Sequence, residues 1–276
     1  AYAKLCEGIG NGLTCTSHDS KIQDSLHQDG GELSMIIRWI GQGGYAITDG
    51  HGIRYLIDPY LSVEEGGRHA RLVAPPWKPQ DAPADYVLCT HDHLDHTDPQ
   101  ALSQMHNVRE FIGPPSSIAI LKGEGIATER LRPIERGQTL LVGNAQVSAY
   151  PAIHTPDSVG FLWSADGWKL YITGDSEFGP ELEVLCGLEP DILFCCINGK
   201  WGNMNHEEAV QLTIMMRPRL VVPMHYGMFA TNTVDPQLFL DALKNKAPHI
   251  QAMILQYNRD YLCERVGREV LLRPAS

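Results

Sequence analysis

The sequence predicts a mixed α/β (α+β) fold in which two β-sheets pack together and helices lie outside them. Short runs rich in Val, Ile, Tyr and Trp, bounded by Gly, Pro, Asn or Asp, recur along the chain. These runs gather into two strand-rich groups, and capped or amphipathic helical segments are interspersed among them. With 276 residues, 43% hydrophobic and 20% charged, the chain can bury a substantial core as one large domain or two small ones.

Residues 1–33 are polar, carry a "DGG" turn signal and read as a partly helical N-terminal extension; the main domain is expected over residues 34–276. From Ser34, "SMIIRWI", "YAITDG" and "IRYLIDPYL" predict three antiparallel strands, with "DGHG" as a hairpin between the second and third. Residues 62–84 are rich in Gly and Pro and predict a long surface loop. "DYVLCT" reads as a strand buried on both faces. After it, Asp98 can cap a helix with Pro99 in its first turn. "REFIGP" predicts a strand and "PSSIAILKGEG" a helix stopped by Gly. "QTLLV", "AQVSAYPA", "VGFLWSA" and "WKLYITGD" predict a second antiparallel group. A helix over "EFGPELEVLCG" and a buried strand over "DILFCCI" follow. The helix over "NHEEAVQLTIMMR" has Asn205 and Glu208 at capping-box spacing and an apolar stripe of Ala209, Leu212 and Met216. "RLVVPMH" predicts a buried strand, "DPQLFLDALKNK" a helix and "IQAMILQYN" a late strand.

A formal net charge of −11 opposes a nucleic-acid partner, which a basic face would attract. No apolar run is long enough for a membrane span, and no apolar leader core stands at the start, so a cytoplasmic location is expected. The seven cysteines form no CxxC pair and read as buried free thiols of a reducing compartment. No GxSxG elbow is present and Cys195-Cys196 lies within a strand, which disfavours a covalent nucleophile.

The chemistry concentrates in "HDHLDH". His91, His93, Asp95 and His96 can face one volume if the chain turns sharply between the strand over residues 85–90 and the helix at Asp98. Imidazole and carboxylate suit Zn²⁺, Mn²⁺ or Fe²⁺. One turn cannot close a coordination sphere. His154, Asp175 and His225 each end an apolar strand-like run and are candidate partners. Arg68 and Arg71 on the long loop, Lys200 before the Asn205 helix and His206 in its first turn are candidates to receive an anionic small-molecule substrate. Tyr226 either aids an oxyanion or packs.

The series HxHxDH, His, "TGD", His resembles the metallo-β-lactamase superfamily from about Ser34 to about Gly267. "WIGQGGYAI", "YLIDPYLS" and "VVPMHYGMF" resemble the branch containing L-ascorbate-6-phosphate lactonases and related metal-dependent hydrolases. The resemblance implies a four-layer αββα sandwich and two divalent ions, Zn or Mn, with Fe also suited. It implies that His91, His93 and His154 hold one ion, that Asp95, His96 and His225 hold the other, that Asp175 bridges them, and that Asp58 of "LIDP" orients the site. The implied reaction is attack of a metal-held hydroxide on a small ester or lactone such as a phosphorylated sugar-acid lactone, with Asp95 passing a proton to the leaving group. A phosphodiesterase or nuclease of the same fold is the alternative, as is a di-iron redox protein, which would want an acidic residue where His93 stands. A non-catalytic binding module with a decayed site conflicts with the intact donor set. The sequence is compatible with assembly into a homo-oligomer.

Overall fold

The computed structural model describes residues 34–64 and 66–275, so the extension expected over residues 1–33 lies outside the described residues. The chain opens with an antiparallel ladder, β1 (Met35–Gly41), β2 (Gly44–Thr48) and β3 (Arg54–Ile57), in the register Ile37↔Ile47 and Ala46↔Leu56. It continues in parallel through β4 (Tyr86–Leu88), α1 (Pro99–Leu102), β5 (Glu110–Gly113), α2 (Pro115–Gly123) and β6 (Leu131–Pro133). A second sheet begins with the antiparallel meander β7 (Thr139–Val142), β8 (Ala145–Pro151), β9 (Val159–Ala165) and β10 (Trp168–Ile172). Parallel crossovers then add β11 (Ile192–Cys196), α3 (His206–Met216), β12 (Leu220–Met224), α4 (Gln237–Lys246) and β13 (Gln251–Ala252). The hairpin β14 (Asp260–Val266) and β15 (Glu269–Pro274) returns to the first sheet beside β1. Among the described residues the eight-stranded order is β15-β14-β1-β2-β3-β4-β5-β6 and the seven-stranded order is β13-β12-β11-β10-β9-β8-β7.

The period-two alternation of strand side chains explains the layering. Tyr55 and Ile57 of β3, with Tyr86 and Leu88 of β4, join the core between the sheets, where Tyr55 meets Trp163 edge-on at 5.4 Å. The intervening Leu56 and Val87 pack instead with Ala101, Leu102 and Leu121 of α1 and α2. On the other side, every residue of β11 and β12 is buried, and Ala209, Leu212 and Met216 of α3 pack into the same core. Helices thus cover both sheets of a sandwich. The capping box of α3 forms as its spacing predicts: Asn205 Oδ1 accepts from the N–H of Glu208 at 3.1 Å, and Glu208 Oε2 accepts from that of Asn205 at 2.9 Å.

Several elements differ from expectation. The segment over "EFGPELEVLCG" forms a 3-10 helix, Pro180–Leu185, rather than an α-helix. Leu182 and Leu185, three apart, are its buried residues, and a three-residue turn aligns that spacing. The late strand contracts to Gln251–Ala252, because only this pair meets β12 before the chain turns back. The helix capped by Asp98 spans a single turn, Pro99–Leu102. The sequence reading left β6, β14 and β15 undetected. Cys186 is exposed, whereas Cys89, Cys195, Cys196 and Cys263 are buried thiols. No helix among the described residues is long and apolar enough to cross a membrane.

The parallel parts of the two sheets end at one edge of the sandwich, where the N–H of Val159 donates to the Thr90 carbonyl across the sheets at 3.0 Å. Ligand sites in such architectures form beyond the carboxyl ends of parallel strands, and the candidate donors follow β3, β4, β8, β10 and β12 there.

Candidate metal centre

The turn after β4 is drawn tight by its own backbone. The N–H groups of His96 and Thr97 donate to the His93 carbonyl at 3.0 and 2.7 Å, and Thr97 Oγ1 donates to the His91 carbonyl at 2.6 Å. Asp98 then caps α1 at Ala101 N, while its other oxygen accepts from the backbone of Leu61 and Ser62 at 3.0 and 2.8 Å. This fastens the long loop to the metal turn.

Asp58 is fully buried, with a left-handed φ of +47°. Its oxygens accept from Thr90 N at 2.7 Å, from Thr90 Oγ1 at 2.6 Å and from His96 Nδ1 at 2.7 Å. With Nδ1 carrying the proton, the lone pair of His96 Nε2 faces Asp175 Oδ1 at 3.2 Å and His225 Nε2 at 3.4 Å. His91 Nδ1 lies 3.1 Å from Thr90 Oγ1, and the buried Nε2 of His91 has no protein partner. An orphaned buried group of this kind costs about 1–3 kcal/mol. His154 Nδ1 donates to the Gly202 carbonyl at 2.9 Å, leaving Nε2 3.0 Å from His93 Nδ1.

Asp175 stands between the two sets. Its Oδ1 lies 2.9 Å from His225 Nε2 without hydrogen-bond alignment, and its Oδ2 lies 3.7 Å from His154 Nε2. Asp95 Oδ2 is 3.6 Å from His225 Nε2 and 3.8 Å from His96 Nε2. Donors bonded to one tetrahedral Zn²⁺ sit roughly 3.3 Å apart, so these separations suit a cation. Three donor groups, His91/His93/His154, His91/His96/Asp175 and Asp95/His96/His225, each keep their ligand atoms within 4.8 Å of one another. The seven residues expected from the sequence converge, and the orphaned His91 nitrogen together with the aligned lone pairs fits a metal centre.

Electrostatics point the same way. Burial holds the pKa of His91 well below the ordinary imidazole range and lowers that of His93, so both are neutral and can donate a lone pair. Burial also disfavours charge on His96, but Asp175, Asp58 and Asp95 together outweigh it and raise its pKa well above the usual value. For Asp175, burial favours the neutral acid, and the nearby His225 and His96 overcome it, holding the carboxyl well below the usual range.

Residues 53–226 match the family model of the β-lactamase superfamily domain. The chain belongs to the metallo-β-lactamase superfamily. A UPF0173 metal-dependent hydrolase of Archaeoglobus fulgidus is 28% identical over 241 residues, which cover 82% of this chain and 98% of that protein. A UPF0173 protein of Pyrococcus abyssi is 30% identical over 203 residues, covering 73% of this chain and 88% of the relative. Among solved structures, Igni18, a metallo hydrolase from Ignicoccus hospitalis, matches with a TM-score of 0.68 at 20% identity, over 84% of this chain and 100% of its own. That likeness concerns the fold.

In this metallo-β-lactamase chain the centre opens into a narrow cleft of about 40 Å³, whose walls include His93, Asp95, Asp175, Arg68, Trp201 and Phe229. The structure sorts the anion-site candidates. Arg68 enters the cleft, with its guanidinium over the Trp201 ring at 4.8 Å. Arg71 does not: it donates to the carbonyls of Val73 and Tyr60 at 2.9 and 2.5 Å and to Tyr257 Oη at 3.2 Å, bracing the loop. Lys200 reaches the rim, where Nζ lies 3.5 Å from the Thr231 carbonyl. His206 begins α3 away from the cleft lining, 4.0 Å from the Glu207 carboxylate. Tyr226 packs against Trp39 at 4.9 Å in the core, its hydroxyl without a partner, so of its two readings the structure supports packing. Burial pushes the Tyr226 pKa upward.

Sequence reasoning missed Gln42, which reaches the centre from the β1–β2 turn, and Thr90, which links Asp58 to both His91 and His96. It also missed the Gly202 carbonyl that orients His154. The glycine-rich "GQGG" was the available signal for Gln42: such a turn permits close approach to something behind it. Left-handed φ values at Gln42, Asp58, Trp201 and His225 gather strained backbone around the site.

Proposed function

We propose that this protein is a metal-dependent hydrolase acting on a small ester or lactone that carries an anionic group, such as a phosphorylated sugar-acid lactone. The observation that carries this reading is Asp175, whose two oxygens face different imidazole sets. That is the arrangement expected of a carboxylate shared by two cations.

His91, His93 and His154 would hold one ion, and Asp95, His96 and His225 the other. Divalent cations bound there supply a hydrolytic water of lowered pKa and a Lewis acid that polarises the substrate carbonyl. Asp58 fixes the His96 ring so that Nε2 faces inward. Asp95, at the cleft floor, takes the proton of the attacking water and returns it to the leaving alkoxide. Trp201 and Phe229 give the cleft apolar walls, and Arg68 offers a charge to the substrate's anionic group. The net charge of −11 favours a small molecule over a nucleic-acid strand. Free buried thiols at Cys89, Cys195, Cys196 and Cys263 support a reducing, cytoplasmic setting.

The test is a screen of lactones, cyclic phosphodiesters and phosphorylated sugar acids with protein reconstituted in Zn²⁺ or Mn²⁺. The reading expects turnover of a lactone that a chelator abolishes and added metal restores. Turnover of the cyclic phosphodiesters alone would move the protein to the phosphodiesterase reading. Hydrolysis that persists after metal removal would overturn both.

A further inference from the structure

The turn between β1 and β2 reads Gly41-Gln42-Gly43-Gly44. A Cβ on Gly43 would stand 2.9 Å from His96 Cε1, and one on Gly44 would stand 3.0 Å from the Asp58 carbonyl oxygen. The turn therefore lies directly against the metal centre. Gln42 adopts a left-handed φ of +51°, where glycine fits freely and a side chain is disfavoured. Its side chain is also buried and leaves Oε1 without a partner. Backbone preference and polar satisfaction both argue for glycine at this position, yet glutamine occupies it.

The contacts show what the side chain does there. The Gln42 carbonyl accepts from the backbone N–H of His225 at 3.0 Å and from Trp39 Nε1 at 3.1 Å. The carboxamide nitrogen lies 3.5 Å from Asp95 Oδ2, to which it donates. The same nitrogen is 3.3 and 3.5 Å from Nδ1 and Nε2 of His225. Near-equal distances to both ring nitrogens put it over the ring face, a contact that leaves the in-plane lone pair free. Asp95 and His225 belong to one donor group, and among the described residues Gln42 makes no hydrogen bond to His91, His93 or His154.

We propose that Gln42 is a positioning residue for the Asp95/His96/His225 group: it sets the spacing between Asp95 and His225 that a second cation needs, and it has no part in the His91/His93/His154 group. The inference rests on the two-ion reading above. Its test is a calorimetric zinc titration of the metal-free full chain, in wild type, Gln42→Gly and Gln42→Asn. Wild type should show two binding events, and the event missing in Asp95→Ala marks the Asp95 group. Gln42→Gly, which suits the left-handed backbone, should weaken that event about tenfold or more and leave the other within about twofold. Its metal-free unfolding midpoint should drop by no more than about 4 °C. Gln42→Asn tolerates the same backbone with a shorter amide; it should fall between the two and supplies the comparison if the glycine variant does not fold. Equal weakening of both events, or no weakening of either, overturns the inference while leaving the two-ion reading intact. A wild-type protein that binds no zinc, or a single zinc, overturns both.

Discussion

The floor of the cleft and its rim are built on different principles. On the floor, His96 is held at one nitrogen by a buried carboxylate that is itself held by Thr90, and His154 is anchored by a backbone carbonyl. Each ring is fixed before any ligand arrives. At the rim, Arg68 lies over the face of an exposed Trp201, and Lys200 donates a long hydrogen bond to a backbone carbonyl. A fixed floor gives catalysis and metal affinity; a loosely held rim can adjust to the substrate.

The largest effect should come from breaking the floor at its centre. Asp175→Ala, and likewise His93→Ala or Asp95→Ala, should lower kcat/KM about a thousandfold while the far-ultraviolet circular dichroism stays native. Retained activity in all of them would remove the distinction. A smaller effect is expected from Asp58→Asn, which disturbs the orientation of His96: zinc affinity should fall roughly 10- to 100-fold, measured against a chromogenic chelator.

Acidity probes the same hydrogen bonds. The His96 pKa stands above the ordinary imidazole value, because its three carboxylate neighbours outweigh its burial. A cation must therefore displace a proton that is more firmly held than usual. Zinc affinity should fall as the pH drops below that raised pKa, by about tenfold per pH unit for one proton displaced. A pH-independent affinity would show that no proton is displaced.

The smallest effects sharpen the contrast within one loop. Arg68→Ala should raise KM several-fold for an anionic substrate, with little change for a neutral analogue and a stability change within about 0.5 kcal/mol. Arg71→Ala, three residues on, should do the reverse: it leaves discrimination between the two substrates unchanged and lowers unfolding free energy by about 1–3 kcal/mol through its lost carbonyl partners. Matching phenotypes for the two arginines would erase the boundary between rim and scaffold.

The same contrast explains what the sequence revealed. His91, His93, Asp95 and His96 were legible because four donors share one turn, and His154, Asp175 and His225 because each interrupts an apolar strand at its end. Arg68 and Arg71 were indistinguishable, since a loop without periodicity gives no sign of which side chain turns inward. Gln42 hid among glycines, where turn chemistry already explained the local pattern. The hairpin β14–β15 hid for another reason. Tyr261, Cys263, Val270 and Leu272 are buried at period two, but Asp260, Glu264 and Arg273 alternate with them on the wetter face of an edge. Pro180 and Leu182–Leu185 suit a 3-10 turn as well as an α-helix, so length and type there were set by tertiary packing.

Asp58, His91, His93, Asp95 and His96 come from the first sheet, whereas His154, Asp175 and His225 come from the second. Ions shared between them would rivet the two halves of the sandwich at its open margin. Stripping them should let that margin splay before the remainder loosens, so amide exchange would quicken first around residues 90–98 and 173–177.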